Sequence, residues 1–137
     1  MIQPTTDNWN PLWFIIVAGS YYLHAGDQAL IERLSPVLVK SAEAIRQHDK
    51  GVIYSSQPDW WDIGDVYGAR TYMTCLAIRA FETMAVLAPH LSAAPEGSVY
   101  LRRAERLKKN LMARLWDPST GYLMNDLKEN ERDPHYY

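Results

Sequence analysis

Cysteine, phenylalanine and runs of one charge are what this chain has least of. A single cysteine, Cys75, excludes an intrachain disulfide and a cysteine-based metal cluster. The four histidines (His24, His48, His90 and His135) share no metal-ligand spacing, so neither a metal nor a cofactor is expected. Net charge is −2 with both signs interspersed. The one basic concentration, Arg102-Arg103, Arg106 and Lys108-Lys109, shares a predicted helix with Glu105 and reads as a solvated face, not a nucleic-acid site. No basic segment followed by an apolar core and cleavage site begins the chain, so no signal peptide is visible and the compartment stays open. Leu12 to Ala25 is apolar but too short to span a bilayer, so no membrane partner is expected. There is no Gly-x-Ser-x-Gly elbow around Gly19-Ser20 and no phosphate-binding glycine loop.

The scarcity of phenylalanine is set against an abundance of other aromatics. Two Phe stand beside five Trp and nine Tyr. Trp and Tyr carry a polar handle and gather where a surface is half apolar and half wet. They concentrate with carboxylates in Pro58-Asp59-Trp60-Trp61-Asp62-Ile63-Gly64-Asp65. Carboxylates move protons or hold hydroxyls, and indole faces stack on the C–H face of a sugar ring, so the cluster has the chemistry of a carbohydrate site. The competing reading is a loop whose tryptophans plug a core and whose aspartates cap a helix.

Length and composition fit one domain with a real core. Four helices are predicted. The first runs from about Asn10 to Ala25, with Asn10 as N-cap, Pro11 in the first turn and Gly26 at the C′ position. Its interior is apolar all round, which predicts burial on most sides. The second starts at the N-cap Asp27 and runs to about His48 with a stripe of Leu30, Leu34, Val37, Leu38 and Ile45; Ser35-Pro36 predicts a kink or a restart. The third, about Ala69 to Ala88, is again mostly apolar, which puts Trp13 and Tyr72 alike in core packing. The fourth, near Ser98 to Trp116, carries a clean stripe of Tyr100, Ala104, Leu107, Leu111 and Leu115. A turn follows at Asp117-Pro118-Ser119-Thr120-Gly121, then a short strand over Tyr122-Leu123-Met124, then a polar, irregular stretch from Asn125.

The order is therefore buried helix, amphipathic helix, long loop, buried helix, amphipathic helix. Alternation of this kind predicts an all-α fold: two or so helical hairpins of an α/α toroid, inner helices wrapped by outer ones, forming an incomplete barrel. The inner helices of such a ring are parallel, so residues 5–13 and 58–72 are expected to share one face. A helical-repeat module binding a protein or a glycan is the competing architecture, though solenoid hairpins repeat at a shorter and more constant period.

Three pieces of the chain resemble the six-hairpin glycosidases. Asn10-Pro11-Leu12-Trp13-Phe14 with Tyr21-Tyr22 and Gly26-Asp27 looks like their first inner helix and its turn. Asp59-Trp60-Trp61-Asp62 followed by Gly68-Ala69-Arg70 resembles their W-x-D loop. Leu115-Trp116-Asp117 with Gly121-Tyr122-Leu123 resembles the close of an outer helix. The nearest patterns are the amylo-α-1,6-glucosidase or debranching type, the trehalase and glucosidase group, and the α-L-rhamnosidases. The resemblance implies an (α/α)6 barrel that hydrolyses glycosidic bonds, generally with inversion. It implies Asp62 as general acid, with Asp59 and Asp65 as rivals in the same loop. Asp7, Asn8, Trp9, Asn10, Trp60, Trp61, Tyr67 and Arg70 are the implied contacts of a carbohydrate substrate, Arg70 either binding sugar hydroxyls or fixing Asp62. The late catalytic base of the family has no match, since Glu129 and Glu131 lie in a polar stretch. Residues 1–137 are therefore expected to be one segment of a larger catalytic domain, inactive alone and prone to self-associate through uncovered barrel surface.

Overall fold

The computed structural model describes residues 9–47, 51–55 and 68–127. Four helices dominate it: α1 (Asn10–Ala25), α2 (Gln28–Glu43), α3 (Thr71–Leu87) and α4 (Gly97–Leu115). None is long and apolar enough to cross a membrane. The fold is all-α, built as two successive hairpins.

Local chemistry sets most helix ends. Gly26 adopts the left-handed conformation that closes α1, with φ +64°, and its N–H bonds the Tyr22 carbonyl. Asp27 then caps α2, its carboxylate accepting the Leu30 N–H at 2.9 Å. Two expectations for these helices change. Trp9, not Asn10, is the boundary residue of α1, and no side chain caps that end. The second helix runs unbroken through Pro36 and stops at Glu43, short of His48. Proline cannot make the hydrogen bond to the Glu32 carbonyl, and both residues lie on the exposed side of the helix, where the loss is tolerated. Ser35 caps nothing. Its hydroxyl is buried and donates to the Ser92 carbonyl at 2.9 Å, joining the first hairpin to the turn after α3.

Helices α1 and α3 lie side by side and run parallel. Trp13 meets Tyr72 near their starts, Gly19 meets Thr83 midway, and Tyr22 meets His90 just beyond the end of α3. The helices approach most closely at Gly19, where a Cβ would fall 2.1 Å from Thr83 Cγ2. Thr83 cannot easily turn away, because its hydroxyl is bonded to the Arg79 carbonyl at 2.8 Å. Helix α4 packs antiparallel on α3 with the predicted stripe, Tyr100, Ala104, Leu107, Leu111 and Leu115, all buried. The two sit so close at the start of α4 that a Cβ on Gly97 would lie 2.7 Å from the Ala85 carbonyl oxygen.

Short strands cover the N-terminal end of α3. The strands β1 (Tyr54–Ser55), β2 (Gly68–Arg70) and β5 (Asp126–Leu127) form an antiparallel sheet in the order β1-β2-β5. The third helix therefore starts two residues later than expected, with 68–70 extended, and residues 126–127 pair with that stretch instead of being irregular. The reason is tertiary: the Arg70 N–H bonds the Ile53 carbonyl and the Thr71 N–H bonds the Asn125 carbonyl. The remaining strands, β3 (Trp116–Asp117) and β4 (Tyr122–Leu123), pair around the predicted turn. Asp117 shapes that turn by accepting from the Ser119 N–H and hydroxyl.

The largest departure concerns α1. It buries only Leu12, Ile15, Ala18 and Gly19. Trp13, Val17 and Leu23 are 40%, 60% and 64% exposed, and Tyr21 is exposed too. The expectation that this helix is buried on most sides is corrected, because α2 and α3 cover only part of its circumference.

Candidate functional site at the N-terminal end of the inner helices

The parallel inner helices bring their N-terminal turns to one face of the molecule. Trp9, Asn10 and Trp13 arrive on α1; Arg70 and Tyr72 arrive at the end of β2 and the start of α3. Trp13 Nε1 donates to the Tyr72 hydroxyl at 3.1 Å, across 59 residues of sequence. This bond joins the last residues of the two segments, 5–13 and 58–72, that were expected to share one face; most of each segment lies outside the described residues.

Ser55 and Gly68 are directly paired in the sheet, as are Tyr54 and Ala69. These pairs anchor both ends of segment 56–67 beside the start of α3. Asp59, Trp60, Trp61, Asp62, Asp65 and Tyr67 belong to that segment and lie outside the described residues, as do Asp7 and Asn8. Trp9 is half-buried against the core, and Asn10 is exposed on the first turn of α1.

Arg70 is 3% exposed. Its Nη2 donates to Asn125 Oδ1 at 3.3 Å, while its own carbonyl accepts from the Thr74 hydroxyl at 2.7 Å. The same Thr74 oxygen accepts the Ile53 N–H at 3.1 Å, so one hydroxyl couples β1, β2 and α3. Thr71 Oγ1 donates to the Met124 carbonyl. A guanidinium so buried and so braced is a rigid positive charge at the exit of segment 56–67. Charge of that kind suits a carboxylate partner.

Sequence reasoning missed two residues here. Asn125, placed in an irregular stretch, supports Arg70 and Thr71. Trp13, assigned to core packing, is exposed, while Tyr72 packs partly against the core as expected and meets Trp13 through its hydroxyl. A signal existed for Trp13: Asn10, Trp13, Val17, Ser20 and His24 form one exposed stripe at helical spacing. The corresponding stripe of α3 is Tyr72, Cys75, Arg79, Glu82 and Val86. Partial desolvation by the packed helix around it holds the exposed Cys75 thiol above its ordinary pKa. Among the described residues no group of His, Cys, Asp and Glu is arranged to hold a metal ion.

A second concavity lies toward the other end of the inner helices. It encloses about 330 Å³ between Gly19, Leu23, Arg79, Thr83, Val86 and Leu101. Its polar lining is Ser20, Thr83 and the Arg79–Glu82 pair, which is 3.9 Å apart and exposed on the Arg79 side.

The sequence matches no family model and no curated protein. Among solved structures the chain is similar to a GH78-family rhamnosidase of Bacillus sp. GL1. The TM-score is 0.78 at 19% sequence identity, covering 90% of this chain and 14% of that one. The chain thus corresponds to a small part of that protein's length. At this identity the likeness is one of fold: the hairpins of this chain have the helical architecture found within a glycoside hydrolase.

Proposed function

We propose that this chain is part of a glycoside hydrolase catalytic domain, contributing two hairpins of a six-hairpin (α/α)6 toroid and the loop that carries the general acid. One observation carries the reading. The parallel inner helices are joined at their N-terminal turns by the Trp13–Tyr72 bond, next to the sheet from which the Asp/Trp segment departs and to which it returns. The fold likeness to a rhamnosidase supports the same scaffold. The exposed Tyr21 and Leu23 toward the end of α1 support incompleteness, since a further hairpin of a ring would cover that apolar stripe. Alone, the chain would use that stripe to self-associate.

Asp62, between Trp61 and Ile63, is the proposed acid that protonates the leaving oxygen, and Asp59 and Asp65 are its rivals. A carboxylate from another hairpin would activate water from the opposite side of the sugar. Partial desolvation by the flanking apolar residues would raise the acid's pKa toward its task. Asp7, Asn8, Trp9, Asn10, Trp60, Trp61 and Tyr67 are the proposed sugar contacts. Arg70, buried and braced by Asn125, acts by orienting a loop carboxylate.

The test uses the complete enzyme on aryl glycosides. Asp62→Asn is expected to lower kcat about 10²–10⁴-fold, with sugar binding retained. Unchanged turnover would sink the acid assignment, and a loss seen only in Asp59→Asn or Asp65→Asn would move it. This chain alone is expected to bind a glycoside without turning it over.

A further inference from the structure

We propose that Trp13 and Tyr72 form an aromatic platform that holds a pyranose ring at the N-terminal face of α1 and α3. The proposal rests on the carbohydrate reading of that face and assigns a binding surface to two residues whose helical pattern puts them in the core.

The argument begins with the indole nitrogen. A tryptophan at a protein surface commonly keeps its N–H in water and buries its ring. In Trp13 the N–H is taken by the Tyr72 hydroxyl at 3.1 Å, while 40% of the residue remains open to solvent. The hydrogen bond also fixes the ring's orientation, so a ligand stacking on it meets a surface already ordered.

The second part is the tyrosine. Its oxygen accepts from Trp13, and among the described residues its own proton has no acceptor. A proton donor therefore sits at the edge of a fixed aromatic face. A pyranose ring presents the complementary chemistry: an apolar patch of axial C–H groups bordered by hydroxyl oxygens. A lipid chain would use only the apolar part and leave the hydroxyl without a partner.

The third part is position. Tyr72 follows Arg70 by two residues, and Gly68 and Ala69 anchor the end of segment 56–67. A sugar on the platform lies beside the entry of the loop that carries Asp62. One turn further along each helix, exposed Val17 and Cys75 continue the surface without charge.

The experiment follows the five indole N–H resonances of the full ¹⁵N-labelled chain during titration with methyl α-L-rhamnopyranoside and methyl α-D-glucopyranoside. The Trp13 resonance is assigned by its loss in Trp13→Phe. It is expected to shift saturably with at least one of the two sugars. Trp13→Ala is expected to weaken that binding about tenfold and Tyr72→Phe about threefold, with helical circular dichroism unchanged. Tyr72→Phe with unchanged affinity would overturn the role of the hydroxyl. Shifts confined to other indoles, with Trp13→Ala binding as well as the parent, would overturn the platform and leave the glycosidase reading standing. No shift at any indole with either sugar would overturn the platform and count against carbohydrate binding by this face as a whole. Asp62-dependent turnover in the complete enzyme remains a separate readout of the glycosidase reading.

Discussion

Helices α1 and α3 are the two inner elements, and they differ in a way their sequences conceal. Both are rich in apolar residues. Yet α3 buries eleven of its 17 residues, and α1 only four of its 16. The difference is one of neighbours. Among the described residues α3 is flanked by α1, α4, α2 and the strands at its N-terminus, whereas α1 packs mainly on α2 and α3. Apolarity records what a helix is suited to contact, and burial records what it does contact. The gap between them on α1 is a face suited to more protein or to a ligand. The Trp13 end of that face is tied to Tyr72, and the Val17–Leu23 portion is simply bare.

The largest test of the contrast is Phe81→Ala on α3. Phe81 is 2% exposed and stacks on Tyr100 with centroids 6.4 Å apart. Its truncation is expected to cost about 3–5 kcal/mol in denaturant unfolding. Val17→Ser on α1 is expected to stay within about 0.5 kcal/mol in the same assay. Similar losses at both positions would mean that α1 is covered in solution, with self-association as the first explanation to check by light scattering.

Gly19→Ala probes the seam between the two helices. The added methyl meets a threonine whose rotamer is held by the Arg79 carbonyl, so about 1–3 kcal/mol should be lost through overpacking. A neutral result would show that α1 can slide outward, which an open ring permits and a closed one resists.

Tyr100→Phe asks what the well-covered side still leaves imperfect. The Tyr100 hydroxyl is buried and has no hydrogen-bond partner among the described residues. Phe is expected to be neutral or to stabilise by about 1 kcal/mol at pH 7. Burial raises the Tyr100 pKa; the Arg103 guanidinium lowers it in part, and Glu43 adds to the rise. With the folded pKa above the unfolded one, stability is full below pH about 10 and falls as pH rises further, because the unfolded chain gives up its proton first. The variant should lose this part of the alkaline slope, while Cys75 and Lys108, both also raised, keep theirs. Urea midpoints at pH 8 and pH 10.5 measure the difference.

The smallest effect is expected on the solvated side of α3 and α4. Lys108 bonds Glu82 and Glu105, each at 2.8 Å, but it is exposed. Lys108→Met should move the urea midpoint less than any of the changes above, and less still in high salt. A larger shift would mean the charged side, too, contributes to holding the hairpin.

Much of this fold was legible where chemistry is local. Asp27 and Gly26 mark a turn through their own side chain and backbone preferences. The stripe from Tyr100 to Leu115 repeats at helical spacing and is buried as read. Asp117 to Gly121 turns the chain because Asp117 bonds the next residues' own groups. The pairs at 54–55, 68–70 and 126–127 were not legible, since two or three residues carry no period. Nor was the role of Asn125, whose partners are more than 50 residues away in sequence. The site was legible as a cluster of residue types. Of its predicted members, Trp9, Asn10 and Arg70 fall among the described residues.

The sequence by itself determined four helices, their alternation of apolar and amphipathic faces, and most of their boundaries, because capping and periodicity act within a turn or two of chain. Tertiary structure alone decided which apolar face is covered. It ran α1 and α3 parallel, closed them at Gly19 and Thr83, and left Trp13 bonded to Tyr72 at the surface. The physical reason is that burial depends on neighbours supplied from far along the chain, and no residue's own chemistry specifies how many it will find.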